Sequence, residues 1–197
     1  MAKLESTLKN MILSLGIISL VASTLLAGVY ILTKKPIEDS DKAKQLSAIQ
    51  EVLPDKTAVV GEKVEIKLKD KEEAFVIYPA TKNNQFIGCA IQTYSNEGYG
   101  GKISLMVGLD KEGNICNYMM LSSNETPGLG SKLTDWFKTK KGKQDIRGKN
   151  PEKDNFSVTK DGGDFDAITA STISSRAFLL SIKDAFEAFT QYKKTLK

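Results

Sequence analysis

Hydrophobic and polar positions change rhythm three times along the chain. Residues 11–33 carry no charge, and about 23 residues at 1.5 Å each reach roughly 34 Å, enough to cross a bilayer core. The run predicts an uncleaved transmembrane helix. It is long for a signal peptide, no Ala-x-Ala site precedes Lys34-Lys35, and Val29 stands where a lipoprotein signal requires cysteine. Pro36 is expected to end this helix. Residues 37–53 then read as a separate amphipathic helix with an acidic start, Glu38-Asp39-Ser40-Asp41, and with Ala43, Leu46, Ile49 and Leu53 towards one face. Beyond it the rhythm shortens to strands at 64–68, 74–78, 85–94, 102–109 and 114–121, joined by polar turns such as Lys82-Asn83-Asn84 and Asp110-Lys111-Glu112-Gly113. Consecutive hairpins imply an antiparallel sheet. Helical spacing returns at Phe178, Ile182, Ala185, Phe186 and Phe189, and a helix packed on such a sheet makes the soluble part α+β.

Composition narrows the chemistry. At 197 residues and net charge +4, the chain is large enough for one domain with a real core plus the apolar appendage. The basic stretch Lys138, Lys140, Lys141, Lys143, Arg147 and Lys149 has no interleaved aromatic residues, so it reads as a solvated loop and not as a nucleic-acid surface. There is no histidine, which removes Ser-His-Asp and Cys-His catalysis, His-containing zinc sites and His-ligated haem. Cys89 and Cys116 lie in strand-like runs without a Cys-x-x-Cys pair and read as small buried hydrophobes; a disulfide stays open if the two meet.

Two polar segments stand out against this background. The first, Asp166-Ala167-Ile168-Thr169-Ala170-Ser171-Thr172, is a hydroxyl-rich turn feeding the last helix, with Thr172 at or near its N-cap. A phosphate esterified there would meet unpaired N–H groups and the positive end of the helix dipole. The second is Glu125-Thr126-Pro127-Gly128-Leu129-Gly130. Glycines permit close backbone approach to a planar ring, Leu129 offers apolar contact, and Glu125 and Thr126 offer hydrogen bonds. Read alone, the first segment is more simply an ordinary Ser/Thr cap. The second, read alone, is more simply a type II turn at Pro127-Gly128, followed by a short helix through Leu133, Trp136 and Phe137 with Ser131 as its N-cap.

The order of Gly98-Tyr99-Gly100-Gly101-Lys102, a hairpin, Glu125 to Gly130 and the Thr172 segment resembles the flavin-binding domain shared by the G subunit of the Rnf electron-transport complex and the C subunit of the sodium-translocating NADH:quinone reductase. The likeness spans residues 98–189, and the N-terminal anchor fits it. It implies covalently bound flavin mononucleotide (FMN), carried as a phosphoester on Thr172, the threonine that ends the pattern Asp-x-x-Ser/Thr-Gly-Ala-Thr. Here Ala170 stands where that pattern has glycine, and Ser171 where it has alanine. Asp166, Thr169 and Ser171 would accompany Thr172 at the cofactor, with Glu125, Thr126, Gly128 and Leu129 beside the ring.

The resemblance also implies an organisation: a short cytoplasmic N-terminus at 1–10, the membrane helix at 11–33, a helix and strands leading into the domain at 34–97, an FMN-binding core at 98–190 and a tail at 191–197. Lys3 and Lys9 before the span balance Lys34 and Lys35 after it, so the family, and not the charge count, puts the domain on the extracytoplasmic side of the cytoplasmic membrane. Expected partners are the other subunits of an Rnf-type ion-translocating complex and, during maturation, a flavin transferase. No Gly-x-Gly-x-x-Gly fingerprint is present, so oxidation of NADH or ferredoxin would belong to other subunits. The expected role is an electron relay without catalytic residues of its own. Two other functions fit the residues: a stand-alone membrane-tethered FMN-dependent reductase, and a cofactor-free envelope binding or scaffold protein whose hydroxyl cluster is only a cap.

Overall fold

In the computed structural model, which describes residues 7–196, the uncharged run folds as part of one long helix, α1 (Leu8–Val52). Residues 1–6 of the expected N-terminal segment, Lys3 among them, and Lys197 of the expected tail lie outside the described residues. The chain divides into two compact units, Met1–Ala43 and Lys44–Lys197. In the first unit α1 is long and apolar enough to cross a membrane, and its large side chains, such as Leu13, Leu20 and Leu26, are exposed. Pro36 lies inside α1 and does not end it. A proline removes one hydrogen bond from the ladder, and the remaining bonds of the neighbouring turns carry this helix through it.

The second unit is built on six antiparallel strands: β1 (Val59–Val60), β2 (Val64–Ile66), β3 (Phe75–Lys82), β4 (Gln85–Gly98), β5 (Gly101–Asp110) and β6 (Ile115–Ser123). Their order is β1-β3-β4-β5-β6, with β2 also paired to β3. Three short helical segments follow, a 3-10 turn at Gly130–Lys132, α2 (Leu133–Trp136) and a second 3-10 turn at Thr159–Asp161, and the domain closes with α3 (Thr172–Thr195). The expected boundary at 97/98 falls at the hairpin joining β4 to β5. Most of the expected tail belongs to α3, whose Tyr192 is buried.

Both faces of the sheet are covered. On one, Ile91, Leu105, Val107 and Leu109 meet Phe178, Leu179, Ile182 and Phe189 of α3; each such side chain contributes about 1.5–3 kcal/mol on burial. On the other, the last turns of α1 lay Ala48, Ile49 and Val52, with Leu53, against Ala80, Ala90 and Met106. The approach is close enough that a side chain at Gly108 would meet Val52 O at 1.7 Å. Burial on both sides explains why β5 reads as a continuous apolar run. The buried stripe of α1 differs from the expected one: Ala43 and Leu46 are exposed. Gln45 takes the inward place at the rim, donating to Tyr78 Oη at 3.1 Å and Gln92 Oε1 at 2.7 Å, because the sheet face there is polar. Cys89 and Cys116 are both free thiols; burial pushes Cys116 up to about 11, and Cys89 higher still.

Candidate functional site

Three segments converge on a cavity of about 520 Å³, within the range of roughly 300–1,000 Å³ that holds cofactors and drug-sized ligands. The first is the turn between β4 and β5. Gly98 pairs with Gly101, leaving Tyr99-Gly100 as a two-residue loop. A Cβ on Gly100 would lie 2.1 Å from Asn124 O, so only glycine lets the turn press against the segment after β6. Tyr99 then projects at the cavity, 71% exposed. Its flanking glycines were visible in the sequence; the aromatic contact they deliver was not.

The second segment is the loop after β6. Leu129 N–H donates to Thr126 O at 3.1 Å and Gly128 has φ +76°, the geometry of a type II turn. A side chain at Gly128 would meet nothing within 4 Å, so this glycine serves the turn and is not among the cavity-lining residues. Tight packing within this loop occurs at Gly130, where a Cβ would lie 2.5 Å from Glu125 Oε2. Ser131 does not cap a helix. It sits within the 3-10 turn and its Oγ accepts from Gly128 N–H at 2.9 Å, closing the loop on itself. Tyr118 holds the segment down, donating its hydroxyl to Leu133 O at 2.7 Å and accepting from Phe137 N–H at 3.2 Å. Burial raises that phenol well above its ordinary pKa.

The third segment is the head of α3. Its N-cap is Ser171, with Thr172 the first helical residue, and no side chain caps it. The serines of the turn are committed elsewhere. Ser175 Oγ donates to Ser171 O at 2.9 Å and accepts from Ile168 N–H at 3.0 Å. Ser171 Oγ donates to Ser174 Oγ at 2.9 Å, which donates to Glu125 Oε2 at 2.7 Å. The half-buried Thr172 hydroxyl lines the cavity and has no hydrogen-bond partner among the described residues. The first-turn N–H groups at Thr172, Ile173 and Ser174 are likewise left without acceptors, which is the arrangement a phosphate meets at a helix N-terminus.

Glu125, Thr126, Leu129, Ser171 and Thr172 of the expected site are brought together around this cavity. Thr169 is exposed and stands outside the lining, as does Asp166. The Asp166 carboxylate turns the other way, accepting from Lys143 N–H at 2.9 Å, while its carbonyl accepts from Trp136 Nε1 at 2.8 Å. It ties the basic loop and α2 to the turn below α3. Ala170 has φ +61°, left-handed backbone that glycine adopts freely and alanine at a cost of about 1–2 kcal/mol. The missing glycine noted in the sequence is therefore a conformational departure as well as a chemical one.

An FMN fits this donor set: an open helix head for the phosphate, a free hydroxyl beside it, Tyr99, Leu129 and Ile173 as apolar walls, and Glu125, Thr126 and the serines for polar edges. The FMN-binding domain family matches residues 98–187, which include all three segments. The family described as RnfG N-terminal region matches residues 1–52, the whole of α1 included. The G subunit of the ion-translocating oxidoreductase complex of Aliivibrio fischeri (strain ATCC 700601 / ES114) is 33% identical, over 98% of this chain and 95% of that protein. Its counterpart in Vibrio atlanticus (strain LGP32) is 33% identical over 93% and 91%, and that in Shewanella piezotolerans (strain WP3 / JCM 13877) 33% over 98% and 93%. Matched along nearly its whole length and carrying the domain that builds this cavity, the chain belongs to the G-subunit family of ion-translocating oxidoreductase complexes.

Proposed function

We propose that this protein is a single-pass membrane flavoprotein that relays electrons within an ion-translocating oxidoreductase complex, with FMN joined to Thr172 by a phosphoester. The observation that carries the reading is the head of α3: of the hydroxyls there, Ser171, Ser174 and Ser175 are engaged in hydrogen bonds, Thr169 lies off the cavity, and Thr172 is free within it. Thr172 Oγ1 would hold the phosphate, and the first-turn N–H groups would neutralise it together with the helix dipole. Tyr99, Leu129 and Ile173 would flank the ring and exclude water, and Thr126 and Glu125 would set its polar contacts. Bound flavin supplies the electron exchange, and the chain supplies position and electrostatics.

α1 would anchor the domain on the extracytoplasmic side with the short N-terminus in the cytoplasm. Other subunits would supply donor and acceptor, and a flavin transferase would make the bond. The test is to express the full chain with such a transferase and run it on a denaturing gel. The wild type should fluoresce as a flavoprotein and Thr172→Ala should be dark while still folded and membrane-bound. A fluorescent Thr172→Ala band, or a dark wild type beside a labelled control substrate, would refute the assignment.

A further inference from the structure

Among the described residues Glu125 alone lines both the flavin cavity and a second cavity of about 390 Å³ on the other side of the loop. The second cavity reaches solvent beside the exposed Lys44, Ser122 and Thr134. The Glu125 side chain is 7% exposed and no lysine or arginine pairs with it among the described residues. Its partners are Gly100 N–H at Oε1, 3.2 Å, and Ser174 Oγ at Oε2, 2.7 Å. A buried carboxylate without a cation is costly, and such groups are retained where their charge has a use.

The hydroxyl chain supplies one. An ionised Glu125 can only accept, so Ser174 must donate to it and Ser171 to Ser174, which leaves the lone pairs of Ser171 facing the flavin cavity. Protonation at Oε2 reverses every link. Glu125 then donates to Ser174, Ser174 to Ser171, and the Ser171 O–H is released towards the ligand. One proton at Glu125 thus converts an acceptor wall into a donor wall about two hydrogen bonds away.

We propose that Glu125 takes up a proton as the cofactor is reduced, and that the Ser174–Ser171 chain turns its donors to the reduced ring in the same event. The proposal rests on the flavin reading given above. Two electrons come from an external low-potential donor, dithionite in the test, and one proton goes to the ring, leaving one added negative charge in the cavity. A second proton, from solvent through the second cavity, forms the O–H bond on Glu125. The other titratable groups lining the two cavities are Tyr99, on the β4–β5 turn, and Lys44, on α1; α3 and the 3-10 turn contribute hydroxyls and backbone there.

The experiment is a redox titration of the flavinylated full chain in detergent, read by reduced-minus-oxidised infrared spectra and by midpoint potential against pH, with in-gel flavin fluorescence on the same sample. Wild type should gain a carboxylic-acid C=O band on reduction, shifted in heavy water, and a potential whose pH slope reports two protons per two electrons. Glu125→Gln should lose the band and halve the pH slope, leaving the part that the ring's own proton gives. Ser174→Ala, which keeps the carboxyl but cuts the chain, should retain the band and the pH slope while shifting the midpoint potential at a fixed pH. A fluorescent wild type without the acid band, or a band unchanged in Glu125→Gln, overturns this proposal alone. A wild type without flavin fluorescence overturns the functional reading and this proposal with it.

Discussion

The two long helices are both rich in apolar residues and are stabilised by different surroundings. In α1 the apolar side chains of the first unit are exposed on every side, whereas α3 buries Phe178, Ile182 and Phe189 in one stripe and exposes Arg176, Lys183 and Glu187 on the other. A helix apolar all round needs an apolar medium; a striped helix needs one partner surface. Charge tells the same story. The span 11–33 has none, while α3 admits Asp184 to its buried side because Lys71 Nζ meets it at 2.5 Å. The difference locates the site: α3 is fixed by the sheet, so its uncapped head can be held in register with Tyr99 and Glu125, whereas α1 offers no comparable fixed partner within its first unit.

Truncating the striped helix should have the largest effect. Phe178 stacks on Phe137 at 4.6 Å and meets Tyr118 edge-on at 4.8 Å, so Phe178→Ala should destabilise the domain by about 3–5 kcal/mol. Denaturant unfolding in detergent should show that loss while membrane association persists; an unchanged midpoint would mean that α3 is not held as described. Leu20→Lys is the mirror experiment. In a solvated helix it would be neutral, but in a span it should cost about 2.5–3.5 kcal/mol of insertion, seen as protein released from membranes on carbonate washing with the domain's melting unaltered.

Smaller changes sharpen the account of the head of α3. Ala170→Gly relieves left-handed alanine at the expense of a freer unfolded chain, leaving a net gain of up to about 1 kcal/mol; a fall in melting temperature would contradict the backbone geometry. The smallest effect is pH-dependent. Burial raises the Asp184 carboxyl above its ordinary value, offset in part by Lys71. A raised folded value means the stabilisation is complete below the unfolded value and is lost as pH climbs through the folded one. Asp184→Asn removes that loss, so the stability of the variant relative to wild type should increase with pH across and just above the ordinary carboxylate range. A difference that is flat or falls with pH would mean that Asp184 is not desolvated as α3 packs.

Much of this contrast was legible in the residues. An uncharged run of membrane length and a helical stripe from Phe178 to Phe189 report directly on the medium each helix needs, and short apolar runs between polar turns marked the central strands. What periodicity cannot report is which partner arrives. It missed β1, which has only two residues, and the extension of β4 through polar Ser95 to Gly98. It chose Leu46 over Gln45 because nothing in α1 announces the polar rim formed by Tyr78 and Gln92. At the site, the family resemblance singled out Thr172 and set Glu125 beside the ring. Whether a hydroxyl is free or engaged depends on distant partners, so the turning away of Asp166, the loop-closing role of Ser131 and the link from Glu125 to Ser174 required coordinates.

The open head of α3 is tested most directly by peptide mass spectrometry of the full chain matured with a flavin transferase. The peptide spanning residues 161–176 should carry one added FMN less water, with fragment ions assigning it to Thr172 and to none of Thr169, Ser171, Ser174 or Ser175. An adduct on one of those neighbours, or an unmodified peptide from a preparation in which a control substrate is fully labelled, would contradict the account.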